Sequence, residues 1–228
     1  MKYFLILVLF FGQISMHAQV KTKPKSKTKV IKPVASKNVD AEAAKILESL
    51  HVRYGKLISY SFKYNATIDI PNSTKKENFS GQYVVKGNQF FININKLDIK
   101  SDGKSVANIN HETKEVQINQ LVKKNKIETP FDFIKNYKKL FKYRVKEELK
   151  NNVKIIELIP LEKNSNIFKI DLMVSTKDMT ILGSKIYERS GVRVSYAIAS
   201  REENKSVSAS LFSFLEKDYK GYEFLGMR

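Results

Sequence analysis

From residue 60 to residue 70 every even position is apolar (Tyr60, Phe62, Tyr64, Ala66, Ile68, Ile70) and every odd one is polar (Ser61, Lys63, Asn65, Thr67, Asp69). A period of two puts the two sets on opposite sides of an extended chain, so this stretch reads as a strand with one apolar face. The alternation recurs at Phe90, Ile92 and Ile94, at Val116 and Ile118, at Phe168, Ile170, Leu172 and Val174, and at Val192, Val194, Tyr196 and Ile198. Strands are expected at 60–70, 79–86, 89–95, 99–109, 115–118, 143–149, 153–159, 167–174, 181–188, 192–199 and 206–214, with Pro71-Asn72-Ser73 and Gly87-Asn88 as turns. Ten or eleven strands exceed the roughly four to six of a common sheet, so the sheet should curl toward a barrel.

Two segments change the period. Asp40 can cap a helix whose apolar positions Ala43, Ile46, Leu47, Leu50 and Tyr54 recur at helical spacing, with Gly55 placed for a C-terminal cap. Pro130 opens a second helix, with Phe131, Ile134, Tyr137, Leu140 and Phe141 on one side and Lys135, Lys138 and Lys139 on the other. The expected fold is mainly β with α (α+β): an incomplete antiparallel β-barrel of ten or eleven strands capped by helices. Two short helices are little cover for so long an apolar face, which leaves room there for something other than the chain's own side chains.

The N-terminus has the three parts of a secretory signal peptide over residues 1–18: Met1-Lys2, an apolar run over 3–11, and a polar stretch ending in Ala18. That run falls short of the about 20 apolar residues a bilayer span requires. Residues 19–39 read as a disordered basic linker, and 40–228 as one domain. Of the net charge of +18, Lys2 and the seven lysines between Lys21 and Lys37 carry 8, leaving +10 on the domain. For an exported chain, anionic lipid is the natural counterpart of that charge rather than nucleic acid. Cysteine is absent, so neither a disulfide nor a lipid-attachment thiol exists. The mature protein is expected in the periplasm, as a monomer.

Catalytic chemistry finds little support. Histidine occurs only at 17, 51 and 111, too sparse for a zinc site without cysteine. No Gly-x-Ser-x-Gly elbow is present. Gly103-Lys104-Ser105 imitates the end of a phosphate-binding loop, but Asp98 stands where its first glycine belongs, so it reads as a turn. Glu147 and Glu148 are adjacent on a strand and point to opposite faces. Aromatic residues share a face with aliphatic ones while lysines take the other, unlike a nucleic-acid platform. No catalytic residue, metal or cofactor is expected, and the chain does not read as an enzyme.

The order of pieces is more telling. A signal sequence, a leading Ala-Ala-x-x-Ile-Leu helix, Gly81-Gln82-Tyr83-Val84-Val85-Lys86-Gly87, Ser101-Asp102-Gly103-Lys104, then Asn110-His111-Glu112-Thr113-Lys114-Glu115-Val116, Leu158-Ile159-Pro160, Phe212-Ser213-Phe214 and a closing 219–228 segment resembles the outer-membrane lipoprotein carrier family, LolA. The resemblance implies a helix-capped half-barrel whose cavity receives lipoprotein acyl chains. It also implies loading from an ATP-driven inner-membrane complex and delivery to the outer membrane, with the acceptor there unspecified. The chain has Val85-Lys86-Gly87-Asn88 where the family's proteobacterial branch has Val-Lys-Arg-Pro, so that branch's lid arginine has no counterpart here. Small residues around Ala107 replace a common tryptophan.

A carrier must stand in for the bilayer as solvent: each methylene contributes about 0.8 kcal/mol, so a sixteen-carbon chain contributes roughly 12 kcal/mol. The expected lining is Phe62, Tyr64, Ile68, Ile70, Phe90, Ile92, Ile94, Phe168, Ile170 and Leu172, with Leu47, Leu50, Phe131 and Ile134 on the lid. The rivals are a half-barrel binding another lipid or a glycolipid, and a non-enzymatic envelope sensor or scaffold that recognises a protein partner.

Overall fold

The computed structural model describes residues 40–73, 76–120 and 130–226, of which 130–133 by backbone alone. The expected signal peptide and basic linker lie outside these residues.

Helix α1 (Ala41–Gly55) starts as the sequence predicts: Asp40 Oδ1 accepts hydrogen bonds from the amides of Glu42 and Ala43, both at 3.0 Å. Its end differs. Gly55 stays inside the helix, Lys56, at φ −87°, donates its amide to the Arg53 carbonyl, and Leu57 donates its own to the Tyr54 carbonyl. A last turn tightened in this way satisfies the orphan carbonyls without a left-handed residue. Then follow β1 (Ser59–Asp69), β2 (Glu77–Lys86), β3 (Gln89–Ile94), β4 (Leu97–Ser101), β5 (Ser105–Asn110) and β6 (Glu115–Gln120). Helix α2 (Pro130–Leu140) precedes β7 (Phe141–Leu149), β8 (Val153–Pro160), β9 (Ile167–Ser175), β10 (Thr180–Glu188), β11 (Arg193–Glu203) and β12 (Glu223–Gly226).

All twelve strands form one sheet in the order β12-β6-β5-β4-β3-β2-β1-β11-β10-β9-β8-β7. Pairing of β1 with β11 joins two meanders, and β12 and β7 remain as edges, so the barrel stays open. Every pairing is antiparallel except β12 on β6. The stretch expected at 99–109 is a hairpin of β4 and β5. Asp102 Oδ1 accepts from the amides of Lys104 and Ser105 at 2.8 Å, and Gly103 takes φ +92°, which closes the turn.

The segment expected as a strand at 206–214 is not one. It crosses the sheet side-on, with a 3-10 turn at Ala209–Phe212. The reason is topological: β1 to β5 already have a neighbour on each side, so their backbone groups offer no free ladder, and the segment binds through side chains instead. Phe212 is 1% exposed against Val84 and Phe91, on the face away from the helices. Farther along, Phe214, Tyr219, Tyr222 and Phe224 cover Ala107, Ile109 and Val116. His111 fastens this strap, with Nδ1 2.8 Å from Tyr222 Oη and Nε2 3.0 Å from Asp98 Oδ2.

Four bulges reset the alternation. One decides a predicted site residue. Tyr187 opposes Lys169 and Glu188 opposes Ile167, which leaves Phe168 as the extra residue. An extra residue shifts the two-residue period by one. Ile167 therefore turns to the core, and Phe168 lies 44% exposed with its ring against Tyr187.

Candidate functional site

The face of the sheet beneath the helices, here the inner face, carries one contiguous apolar cluster running from Val106 on β5 through β1 to Phe141 on β7. A group of aromatic rings packs along it. Phe62 lies 5.0 Å from Tyr83 and 6.1 Å from Tyr64, and Tyr64 lies 5.7 Å from Tyr196 and 6.4 Å from Phe79, all at tilted or edge-on angles. Such offset geometry suits ring quadrupoles. Gly81 makes it possible: it sits directly across from Tyr64, and a Cβ there would come within 2.4 Å of Tyr64 Oη and 2.3 Å of the Asn93 carbonyl. The ring lies over the glycine, and its hydroxyl donates to Asn93 O at 3.2 Å. Burial pushes the phenols of Tyr64 and Tyr196 well above their ordinary range, so both stay neutral.

Over this face lies the roof. Helix α1 presents Ala43, Ile46, Leu47 and Leu50, and α2 presents Ile134 and Tyr137, all 4% exposed or less. Polar clamps hold both helices. Glu48 of α1 accepts from Tyr137 Oη at 2.8 Å and pairs with Lys138 Nζ at 2.7 Å. Lys138 and then Tyr137, as donors to that carboxylate, hold it below the usual glutamate range. Asp40 Oδ2 accepts the amide of Val145 on β7 at 2.8 Å, Arg53 pairs with Glu203 at 2.6 Å, and Tyr54 Oη accepts the amide of Ile181 at 3.2 Å.

The residues expected to line a cavity fall into three groups. Tyr64, Ile68, Ile92, Ile94, Ile170 and Leu172 are buried on the inner face, with Ile92 and Ile170 each 1% exposed. Phe62, Ile70 and Phe90 are half-buried against the same cluster. Phe168 stands apart on the outer face, displaced by its bulge. Of the lid residues, Leu47 and Leu50 are fully buried and Ile134 is 1% exposed, all in that cluster; Phe131 belongs to α2, but its side chain lies outside the described residues. Beneath the helices, the buried side chains of α1 and α2 and those of the inner face form one cluster.

The expected lining did not include Tyr60, Phe79, Tyr83 and Tyr196, the rings around Phe62 and Tyr64. Their parity carried the signal, but only the pairing of β1 with β2 and β11 shows that they converge. Among the described residues, no three His, Cys, Asp or Glu side chains are grouped to hold a metal ion.

The Thermus thermophilus structure titled an uncharacterized conserved protein shares this fold, with a TM-score of 0.53 at 11% identity over 82% of this chain and 99% of its own. A DUF1329 family protein from Desulfovibrio piger aligns with a TM-score of 0.48 at 10% identity, covering 80% of this chain and 100% of that one. A LolA superfamily protein from Nitrosomonas europaea aligns with a TM-score of 0.41 at 12% identity, covering 75% and 97%. No curated protein sequence matches significantly. The family described as outer membrane lipoprotein carrier protein LolA matches residues 56–215, a span that takes in the sheet from β1 to β11 and α2, and the chain belongs to that family.

Proposed function

We propose that this protein is a periplasmic, non-enzymatic carrier that shields lipoprotein acyl chains against the inner face of its sheet and shuttles lipoproteins from the inner to the outer membrane. One observation carries the reading: among the described residues, an apolar face on a twelve-stranded sheet is roofed by only two helices, of 15 and 11 residues, and polar groups tie them down. Lifting the roof exposes Leu47, Leu50 and Ile134 together with the sheet beneath, and an acyl chain that takes their place repays that exposure. Phe62, Ile70 and Phe90, half-buried at the margin of the cluster, are its first points of contact. Family membership supports the cargo class, and the signal-like residues 1–18 support the compartment. Loading energy comes from an inner-membrane ATP-driven complex, and delivery from the higher affinity of an outer-membrane acceptor.

The test is binding of a fluorescent fatty-acyl probe to the purified protein. Ile92→Asp and, at the half-buried margin, Phe62→Asp should abolish uptake, while Phe168→Asp on the outer face should leave it intact. Circular dichroism reports whether each variant stays folded. Absence of uptake by the wild-type protein, or equal uptake by a folded Phe62→Asp variant, overturns the reading.

A further inference from the structure

The outer face of the sheet has two halves. The strap covers β2 to β6, whereas β7 to β10 carry nothing over them among the described residues. A single row of register partners crosses the bare half: Arg144 on β7 opposes Glu157 on β8, which opposes Asp171 on β9, which opposes Lys185 on β10. The two acids are only 5% and 7% exposed. Arg144 and Lys169 engage Glu157 at 2.6 and 3.6 Å, and Lys146 engages Asp171 at 2.7 Å. These two acids are thus neutralised below the surface, and what faces outward is mainly positive, although Asp69 of β1 stands half-exposed opposite Arg193 in the ladder. Lys142, Lys185 and Arg193 share this face, and none of them has an ion-pair partner among the described residues. The exposed acid Glu147 stands at the end of β7.

Apolar side chains lie between these cations: Ile159 at 41%, Phe168 at 44% and Met173 at 38% exposed. Lys146 and Lys185 flank a groove of about 470 Å³ that Ile155 and Met173 also line.

We infer that this bare outer half docks on the surface of an anionic phospholipid bilayer. Lysines and arginines interleaved with exposed apolar groups match headgroup phosphates above and acyl carbons just below. A bilayer is laterally uniform, so it can be met by cations spread over four strands; an acidic protein would need one fixed register. The inference goes beyond the carrier reading, since the outer face plays no part in acyl uptake.

Co-sedimentation of the purified protein with phosphatidylglycerol vesicles tests it, phosphatidylcholine vesicles being the reference. The protein should sediment with the anionic vesicles only, and less as salt rises. The triple variant Lys142→Glu, Lys185→Glu, Arg193→Glu should lose about tenfold or more of that binding. A control with the same charge change, Lys96→Glu, Lys104→Glu, Lys217→Glu, lies on the other half or on the strap and should retain it. Acyl-probe uptake should be the same in both, so a failed carrier reading and a failed docking surface give different results. Lack of vesicle binding, equal loss in both triples, or full binding by the first triple overturns the inference; the last would mean that the 21–37 lysines act alone.

Discussion

On the outer face, β5 and β6 present Ala107, Ile109 and Val116, all fully buried beneath an aromatic strap, while β7 to β10 present Arg144, Glu157, Asp171 and Lys185 to solvent or to one another. Both regions belong to one sheet and both have the same apolar inner face. The difference teaches that the second face of a strand is settled by whatever else the chain can lay over it. Apolar outer positions hold a covering segment by burial. Charged ones are held by pairing, and ion pairs at a surface contribute little net stability, so that half is left available for contact with something else.

The sharpest way to break this comparison is at Phe212, the strap residue that is 1% exposed between Val84 and Phe91. Phe212→Ala should cost about 3–5 kcal/mol in urea unfolding, and a cost near zero would mean that the strap contributes no burial. On the bare half, Asp171→Ala should cost less, roughly 1–3 kcal/mol, because Lys146 and Tyr187 lose their shared acceptor. If it exceeded the Phe212 variant, the halves would be stabilised in the reverse of the way argued here.

Asp40→Ala, at the β7 edge, removes the α1 cap and the bond to Val145 and should cost about 1–2 kcal/mol. This carboxylate also carries a pH signature. The amides of Ala43 and then Val145 hold its pKa below the ordinary aspartate value. Its contribution is therefore complete above that ordinary value and is lost as pH falls through the depressed one. The Asp40→Ala variant should lack that part of the acid limb in a stability-against-pH curve. The smallest effect belongs to Phe168→Ala, expected within about 0.5 kcal/mol of wild type because the ring is on the surface; a loss of core size would place Phe168 inside after all.

Phe168 also marks the limit of what the chain shows unaided. Its parity with Ile170, Leu172 and Val174 is perfect in the sequence, and a single unpaired residue between Lys169 and Ile167 in the ladder reverses it. Bulges are set by how two strands align, so a period counted along one strand does not register them. Segment 206–214 went the same way. Its apolar residues were legible, but whether they pair or pack depended on which strands still had free edges.

Local chemistry in the sequence determined the elements themselves: alternation made the strands, Asp40 capped α1, Pro130 opened α2, and Asp102-Gly103 closed a hairpin. These features act over two to four residues, within reach of one stretch of chain. The tertiary structure alone decided that β1 meets β11, that the rings of Tyr60, Phe62, Tyr64, Tyr83 and Tyr196 converge, and that the helices pack on the inner face. Those outcomes depend on contacts between residues on different strands, from Phe62 with Tyr83 to Tyr64 with Tyr196, and burial, which drives them, is non-directional and names no partner in advance.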